Sequence, residues 1–429
     1  MAVERIVGSY NAWAGNGASQ APGWLQDLRS SAIARFEGLG FPNMKQEAWR
    51  FTSVAPIVEG SFELAKAPTR IPTLDEIRAF LLLEAGSRLV FVDGFFQPSL
   101  STAFLDEVQS LSHGLVQCPD LVRQHLSKYA ATDNRPFSAL NTAFVNEGAF
   151  VRVPAKAAIP EPIQLLFLAS GATPVVTHPR NLIVLEREAR ASIVETYASL
   201  NQGPYWTNSV TEIVAGEGAR VDYHRVQRES ARAYHVATTQ SHQDRDSVVN
   251  VHTVAFGAAL SRHDIGAVMA GPAGTLILNG LYLLGGTQHA DHHTTIDHAA
   301  PHCESHEYFN GVLDGKSRGV FTGRIIVRPG AQKTDSKQTN NNLLLSTDAH
   351  ADSQPQLEIY ADDVKCTHGS TVGPLDPRAL FYLESRGIGE HEARRLLTYG
   401  FANEILGRME VAPLRAQLDA IVRGRLAEQ

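Results

Sequence analysis

The sequence of 429 residues contains little cysteine, and this scarcity excludes several kinds of protein. Only three cysteines occur, Cys118, Cys303 and Cys366, and no two of them form a C-x-x-C pair. A zinc ribbon needs such pairs, and an iron–sulfur cluster held by one chain needs about four thiolates. One copy of this chain can therefore build neither site, and three scattered cysteines also argue against a disulfide framework.

Other absences narrow the function further. The 38 lysines and arginines against 45 acidic residues give a net charge of −7, so there is no electrostatic reason to expect nucleic acid as the main partner. No apolar run approaches the roughly 18 residues needed to cross a bilayer, and the N-terminus lacks the basic and apolar regions of a secretory signal. We find no P-loop, no G-x-S-x-G elbow and no dinucleotide fingerprint. We therefore expect a soluble cytoplasmic protein without a complete active site in one chain.

Helical patterns dominate the chain from residue 1 to about 90. Apolar residues recur at near-helical spacing over residues 24–36, and two glycines and a proline then end the pattern. A further helix is predicted over residues 72–83. Between these helices lies the cluster Trp49–Arg50–Phe51, which we interpret as a packing anchor whose arginine keeps its charged end in water. A ligand site is the alternative interpretation of this cluster.

A long β-rich region follows. The run LVFVDGFFQP, with Asp93 and Gly94 between apolar segments, predicts a hairpin. From Phe144 to about Thr367 there is almost no helical pattern, only short strands separated by glycine-containing corners. Strands without crossover helices argue against a doubly wound sheet, but a β-sandwich, a cupin-type jelly roll and a parallel β-helix remain open. The length of the region and the run Asn340–Asn341–Asn342, interpreted as stacked corner asparagines, favour the β-helix.

The C-terminus returns to a helical pattern. Asp376 and Pro377 supply an N-cap and a first-turn proline, and further helices are predicted over residues 390–409 and from Pro413 onward. Their apolar stripes either pack back on the β region or offer a face to another protein. We therefore divide the chain into a mainly helical region (1–90), a β core (91–370) and a C-terminal helical domain (371–429).

Histidine is concentrated in one segment. Six of the 17 histidines fall between His289 and His306. A catalytic metal site needs three ligands that converge from defined secondary structure, and these spacings do not match the helical H-E-x-x-H pattern. On strands, Asp291 and His293 would share a face, as would His302 and His306. The segment is either a set of hydrogen-bonded polar residues or a site for a metal or partner.

Cys366 and His368, at the end of the β region, form the most suggestive pair. Residues i and i+2 of a strand project to the same face, so this thiol and imidazole would point at the same target. Thiolate and imidazole together bind iron, zinc or copper. A buried, inert cysteine is the alternative. If the two residues bind metal, the remaining ligands must come from another subunit, so the predicted site lies at an interface.

Several segments resemble the SufD proteins of the SUF iron–sulfur cluster assembly system. These segments are KTDSKQTNNNLLLSTDAHADSQPQLEIYADDVKCTHGSTVG (333–373), LFYLESRGI (380–388), HEYFNGVLDGKSRGVFTGRIIV (306–327) and EAWRFTS (47–53). The resemblance covers essentially the whole chain and is most specific in its C-terminal third. The paralogue SufB shares the core motif, so the resemblance to SufD in particular rests on the EAWRFT and LFYLESRGI segments and on the scarcity of cysteine.

The resemblance implies a right-handed parallel β-helix between helical N- and C-terminal domains. It also implies a complex with SufB and two copies of the ATPase SufC. His368 of the C-T-H-G motif would be a ligand of a transient iron–sulfur cluster shared with SufB, with Cys366 of secondary importance. The C-terminal helices would dock SufC. The residues that we assign to this docking contact are Tyr399, Gly400, Phe401 and Ile405.

On this interpretation the chain is a non-catalytic scaffold subunit, and ATP hydrolysis belongs to SufC. The complex can carry reduced flavin, which we do not assign to this chain, and the isolated chain could form a homodimer. Two alternatives remain. One is a β-helical or cupin-like metalloenzyme that uses residues 289–306, and one tightly held zinc or iron per isolated monomer would favour it. The other is a purely structural homodimer in which His368 has no role.

Overall fold

In a computed structural model, the protein is a β-solenoid with helices before and after it in the chain. The structure describes residues 2–15, 21–68, 70–81, 86–102, 107–171 and 174–427. The helices are α1 (Ala2–Gly15), α2 (Gly23–Leu39), α3 (Ala55–Glu59), α4 (Leu74–Ile77), α5 (Leu111–Gln117), α6 (Pro119–His125), α7 (Pro136–Ala143), α8 (Pro377–Ser385), α9 (Glu390–Leu406) and α10 (Ala412–Ala427). Short 3-10 helices lie at Glu47–Trp49, Arg78–Phe80 and Pro98–Leu100.

A few short strands precede α7, and the remaining strands occupy most of the chain between α7 and α8. They are β1 (Glu63–Leu64), β2 (Arg88–Val92), β3 (Phe95–Phe96), β4 (Val108–Ser110), β5 (Ala149–Val153), β6 (Ile163–Ala169), β7 (Val175–Thr177), β8 (Arg180–Leu185), β9 (Arg190–Ser199), β10 (Trp206–Ala215), β11 (Arg220–Arg228), β12 (Tyr234–Gln243), β13 (Val248–Ala255), β14 (Leu260–Met269), β15 (Thr275–Leu284), β16 (His289–His298), β17 (Glu304–Leu313), β18 (Arg318–Val327), β19 (Asp335–Leu344), β20 (His350–Ile359) and β21 (Lys365–Gly373).

The solenoid is built from two sheets that enclose one interior. Sheet A has the order β4-β5-β8-β10-β12-β14-β16-β18-β20, and sheet B has the order β3-β2-β6-β9-β11-β13-β15-β17-β19-β21. From β8 onward each strand pairs in parallel with the strand two places later, after one coil of the chain. Tyr234 pairs with Leu260, 26 positions later, and Arg318 pairs with His350, 32 positions later. This topology confirms the parallel β-helix and excludes the sandwich and the jelly roll, which are built mainly from antiparallel strands.

The alternation of side chains along each strand fills the interior. Successive residues of a strand face opposite sides of its sheet, so every coil turns one set of side chains inward. Apolar residues from both sheets, among them Ile193, Tyr223, Val251, Leu278 and Ile296, form one continuous buried cluster. Burial of apolar surface yields about 25 cal/mol per Å², so each coil is stabilised by stacking on its neighbours.

The sequence analysis placed the run of three asparagines at a corner of the solenoid. In the structure the run lies on strand β19. Asn340 and Asn342 face the interior, where both hydrogen-bond to the hydroxyl of Tyr282. Asn341 faces outward, and its amide nitrogen lies 3.5 Å from Oδ1 of Asn310 in the preceding coil. Asparagines do stack from coil to coil, but the pleat of the strand divides the run between two faces.

Local predictions for the N-terminal part hold in most places. Helix α2 forms where the apolar spacing predicts it, and β2 and β3 form the hairpin, with positive φ at Asp93 and Gly94. The helix predicted over residues 72–83 is shorter than expected. Thr73 and Glu76 form a capping box at α4, which continues into a single 3-10 turn. Residues 82 and 83 lie outside the described part of the chain.

Helices cover the outer face of both sheets. Helices α1, α2 and α7 pack on sheet A, where Trp206 faces outward. Helices α9 and α10 pack on sheet B, where Leu406 and Leu414 belong to the same buried cluster as outward-facing residues such as Leu281. Two of the C-terminal helices therefore pack back on the β region, and α9 ends at Leu406 rather than at Met409. None of the helices among the described residues is long and apolar enough to cross a membrane.

The division of the chain at residues 90 and 370 remains a prediction. Strands β2 and β21 run across these two positions.

Candidate metal-ligand site at the open end of the solenoid

Cys366 and His368 lie on the last strand of the solenoid. Strand β21 pairs with β19, and no strand among the described residues pairs with its other edge. Cys366 is the pairing partner of Ser336, and His368 is the pairing partner of Gln338. Ser336 and Gln338 are fully buried in the interior, so Cys366 and His368 also face inward. The two residues therefore share one face, as their spacing predicts.

The inward-facing residues of this last coil are accessible, because no further coil of the described chain stacks on them. We call this end of the solenoid the mouth. Its residues are Ser353, Pro355 and Leu357 on β20 and Cys366, His368 and Ser370 on β21. Across the mouth, the hydroxyl of Ser370 donates a hydrogen bond to Oγ of Ser353 at 2.8 Å. The imidazole of His368 thus points along the interior side of its sheet and is exposed to solvent.

Two buried polar residues lie in the coils beneath His368. The amide of Gln338 donates a hydrogen bond to Oε2 of Glu307 at 2.6 Å, and Glu307 is its pairing partner on β17. Burial raises the pKa of Glu307 to about 7, although hydrogen bonds from Gln338 and Thr294 oppose the shift. Gly323 provides the space for Gln338, since a Cβ there would lie 2.1 Å from its amide nitrogen. The titratable carboxyl group of Glu307 therefore lies in the interior two coils below His368, the candidate ligand.

Cys366 lies above a second polar column. In the coils beneath it, the hydroxyls of Ser336 and Ser305 are 2.7 Å apart, and Ser305 lies 2.9 Å from Nε2 of His298. Burial and a nearby carboxylate raise the pKa of the Cys366 thiol, so the thiol is protonated near neutral pH. The thiolate is the form that binds metal. The environment therefore favours His368 over Cys366 as a ligand.

We predict that the substitution Glu307→Gln changes how stability depends on pH. A carboxyl group with a raised pKa stabilises the folded state below its unfolded pKa and loses this stabilisation as pH rises through the folded value. With a folded pKa of about 7 and an unfolded value of about 4.3, the loss amounts to about 4 kcal/mol. Glutamine keeps the shape of the side chain without the charge, so the variant should be the more stable protein above neutral pH.

Urea unfolding at about pH 5 and about pH 8 tests this prediction. The advantage of Glu307→Gln over the wild type should grow towards the higher pH. Glu304→Gln is the matched control, because Glu304 is exposed on the same strand. An advantage of equal size at both pH values would contradict the presence of a buried, titrating Glu307.

The structure does not bring the six histidines of residues 289–306 together. They are distributed as His289 and His293 on the outer face of sheet A, His292 and His298 in the interior, His302 in a turn, and His306 on the outer face of sheet B. Asp291 and His293 do share a face and lie 3.0 Å apart. Burial lowers the pKa of His292 and His298 to about 4, so both are neutral core residues.

The residues predicted to dock the ATPase differ in accessibility. Gly400 is exposed, and Tyr399 is partly exposed with its hydroxyl bonded to Asp419. Phe401 is half-buried against sheet B, and Ile405 is completely buried. Ile405 therefore belongs to the core between helix and sheet, and its side chain offers no surface to a partner. The large apolar residues that these helices do expose are Phe381, Tyr382 and Leu396.

Sequence reasoning noted Glu307 beside the histidine-rich segment but missed Gln338 and the contact between the two residues. They stand 31 positions apart and meet because they are pairing partners on successive coils. The signal that could have found them is a polar residue repeated at the same inward-facing position of each coil, about one coil length apart. Such a repeat becomes visible only once the coil length and the facing of each strand are known.

Comparison with known proteins finds similarity to one family over most of the chain. Residues 167–401 match the family model described as SUF system FeS cluster assembly, SufBD core domain, and residues 10–165 match that of the SufBD protein N-terminal region. The chain is 35% identical to an iron–sulfur cluster assembly SufBD family protein of Synechocystis, over 94% of this chain and 91% of that protein. It is 31% identical to the iron–sulfur cluster assembly protein SufD of Escherichia coli over 90% of each chain, and 28% identical to that of Bacillus subtilis over 95% of each. The chain therefore belongs to the SufBD family of iron–sulfur cluster assembly proteins.

Proposed function

We propose that this chain is a SufD-type scaffold subunit of the SUF machinery, and that it supplies His368 as a ligand to a nascent iron–sulfur cluster. The observation that carries the proposal is the orientation of His368, which faces the interior of a solenoid whose last coil is uncovered. A paralogous solenoid, that of SufB, could cover the mouth and bring further ligands to the same point. The cluster would be cargo, held between two subunits before it is passed on.

The count of ligands supports a shared site. A cluster is usually held by about four thiolates, whereas the mouth offers one imidazole and one thiol of raised pKa. SufB is the expected source of cysteine thiolate. We assign no catalytic residue to this chain, since ATP hydrolysis falls to SufC. Reduced flavin, if the complex carries it, is not assigned to residues of this chain.

The surface around the mouth has the character of a subunit contact. Strands β20 and β21 each leave one backbone edge without a strand partner among the described residues, and such edges readily pair with another chain. Ile359, Tyr360 and Val372 expose 40%, 61% and 47% of their surface at this end. These apolar side chains would be covered by a second solenoid. We therefore propose that SufB docks on the mouth.

A second contact is proposed for SufC on the C-terminal helices. Phe381 and Tyr382 on α8 expose 71% and 57% of their surface, and Leu396 on α9 exposes 43%. Only residues 374–376 separate α8 from the strand that carries His368. A displacement of docked SufC would thus reach this strand directly. We propose that ATP-driven association of two SufC copies strains the contact between this chain and SufB and exposes His368.

The two proposed contacts should be separable by substitution. Val372→Asp introduces a charge at the mouth and should lower co-purification with SufB at least about tenfold, while SufC is retained. Phe381→Ala combined with Tyr382→Ala removes apolar surface from α8 and should lower co-purification with SufC by a similar factor, while SufB is retained. Affinity purification of the co-expressed subunits measures both outcomes.

Val116→Asp is the control for these variants. Val116 exposes 73% of its surface on α5, away from both proposed contacts, and the variant should retain both partners. Thermal melting checks that each variant is folded. A wild-type chain that binds neither SufB nor SufC would contradict the proposed function.

A further inference from the structure

A second group of metal-binding side chains lies on the outer face of sheet B. It consists of Asp222 and His224 on β11 and His252 on β13. One ligand atom of each residue lies within 4.8 Å of those of the other two. We propose that these three residues bind a divalent transition-metal ion such as Zn²⁺ or Fe²⁺. The site would be distinct from the mouth and would belong to this chain alone.

The distances between the ligand atoms fit such an ion. Nε2 of His224 lies 2.9 Å from Oδ2 of Asp222, and Nε2 of His252 lies 3.9 Å from Oδ1 of the same carboxylate. Ligand atoms about 2.0–2.1 Å from a tetrahedral zinc ion stand about 3.3 Å from one another, a value between these two distances. Two imidazoles with one carboxylate form a ligand set used by both zinc and non-haem iron sites.

The register of the solenoid brings the ligands together on rigid strands. Asp222 and His224 are two residues apart on one strand and face the same side of the sheet. His224 is the pairing partner of His252 on the next strand of the sheet. The two imidazole rings stack with their centres 4.9 Å apart and their planes 12° from parallel. Little rearrangement of the backbone is therefore needed to place both rings around one ion.

Buried atoms without hydrogen-bond partners give an independent indication. Nδ1 of His224, Oδ1 of Asp222 and Oδ1 of Asn279 are all in this condition, and Asn279 is the next residue in the same row, on β15. Buried polar groups are normally paired, and a metal ion would give Oδ1 of Asp222 a partner. Nδ2 of Asn279 lies 3.4 Å from Nδ1 of His252. Rotation of the amide by half a turn would bring Oδ1 there to accept the Nδ1 proton, the orienting bond typical of a metal-bound histidine.

Charge and access are compatible with binding but limit its strength. The side chain of His252 is only 3% exposed, and an imidazole binds a metal ion in its neutral form. The side chain of Asp222 is 14% exposed and provides a route for the ion. Arg408, just after α9, opposes a cation because its positive charge lies close to the site. Its guanidinium lies 4.3 Å from the ring centre of Tyr308, which is the pairing partner of Asn279 in the same row.

Calorimetric titration of the full chain with Zn²⁺ tests the proposal. The background should carry Cys366→Ser and His368→Ala, so that the mouth cannot contribute. We expect one ion per chain and a rise of the thermal unfolding midpoint on binding. Asp222→Asn and His252→Gln should each weaken binding by at least about tenfold, since even changes to groups behind the ligands have effects of that size. Anaerobic titration with Fe²⁺ shows whether the same residues also take iron.

Removal of a nearby positive charge should strengthen Zn²⁺ binding, whereas the ligand substitutions should weaken it. Arg408→Gln removes the opposing positive charge and should tighten binding of Zn²⁺, and Arg408 is exposed, so the fold should tolerate the change. His306→Ala is the matched control, because this histidine is exposed on the same sheet face, and the affinity should not change. Binding that survives both ligand substitutions would overturn the proposal, as would the absence of one-to-one binding. If the ligand variants do not fold, the result for Arg408→Gln decides by itself. Unchanged or weaker binding of Zn²⁺ by this variant would overturn the proposed site.

Discussion

Replacement of His368 by alanine should abolish formation of the iron–sulfur cluster and leave the complex with SufB and SufC assembled. The imidazole is exposed at the mouth, and surface substitutions usually change stability by less than about 0.5 kcal/mol. Loss of a metal ligand is far more costly, because changes to groups behind the ligands already weaken binding about tenfold or more. After anaerobic reconstitution of the complex, iron and acid-labile sulfide should fall to background.

Two other substitutions give this experiment its controls. Cys366→Ser should keep most of the cluster, because the raised pKa of the thiol makes Cys366 a poor ligand. His350→Ala removes an exposed histidine from the neighbouring strand β20 and should have no effect. A normal cluster yield with His368→Ala would refute the role of His368 as a ligand. A complex that no longer assembles would show that His368 acts in subunit contact rather than in ligation.

Replacement of Arg262 by alanine should cause a large loss of stability. Its side chain is 2% exposed and forms ion pairs of 2.7 Å with Asp291 and 2.9 Å with Asp264. Its guanidinium also lies 3.8 Å from the ring centre of Trp49 and donates a hydrogen bond to the carbonyl of Ala48. The substitution removes this cation from the buried carboxylate of Asp291 and from that of Asp264, which is 17% exposed. Removal of one partner from a buried ion pair costs about 3–5 kcal/mol.

These contacts explain the EAWRFT segment. Trp49 is buried, as predicted for a packing anchor, while Arg50 is exposed with its guanidinium over the ring of Phe51. The hydroxyl of Thr52 donates a hydrogen bond of 2.5 Å to Asp291. The segment thus fastens the N-terminal helices to the outer face of sheet A. In Arg262→Ala we therefore expect the N-terminal region to become sensitive to proteases before the solenoid does.

Urea unfolding and limited proteolysis test this prediction. Arg328→Ala is the control, because the ion pair of Arg328 with Asp297 leaves the arginine side chain 55% exposed, and its loss should cost less than about 1 kcal/mol.

Burial alone would raise the pKa of Asp291, but His293 and Arg262 hold it well below its usual range. A carboxylate with a lowered pKa stabilises the fold above its unfolded value of about 3.9, and this contribution is lost in acid. The deficit of the variant should therefore shrink in strong acid, and equal stability at neutral pH would contradict the prediction.

The sequence by itself determined the local features. The spacing of Cys366 and His368 places them on one face of any strand, and the scarcity of cysteine implies that, if the two residues bind metal, the remaining ligands come from another subunit. The hairpin at Asp93 and Gly94 and the N-cap at Asp376 formed where predicted, because turn and cap residues act on their immediate neighbours. A long region of short strands without crossover helices and the resemblance to SufD together indicated the parallel β-helix.

Only the tertiary structure decided which residues meet from coil to coil. Glu307 lies beneath His368 because two successive coils take 31 and 30 residues, and a shift of one residue would turn a side chain to the opposite face. The pairing of His224 with His252, 28 positions later, depends on register in the same way. The amphipathic pattern likewise could not tell that Ile405 is buried while Phe381 is exposed. The physical reason is that local preferences extend over a few residues, whereas register depends on the summed length of irregular turns in each coil.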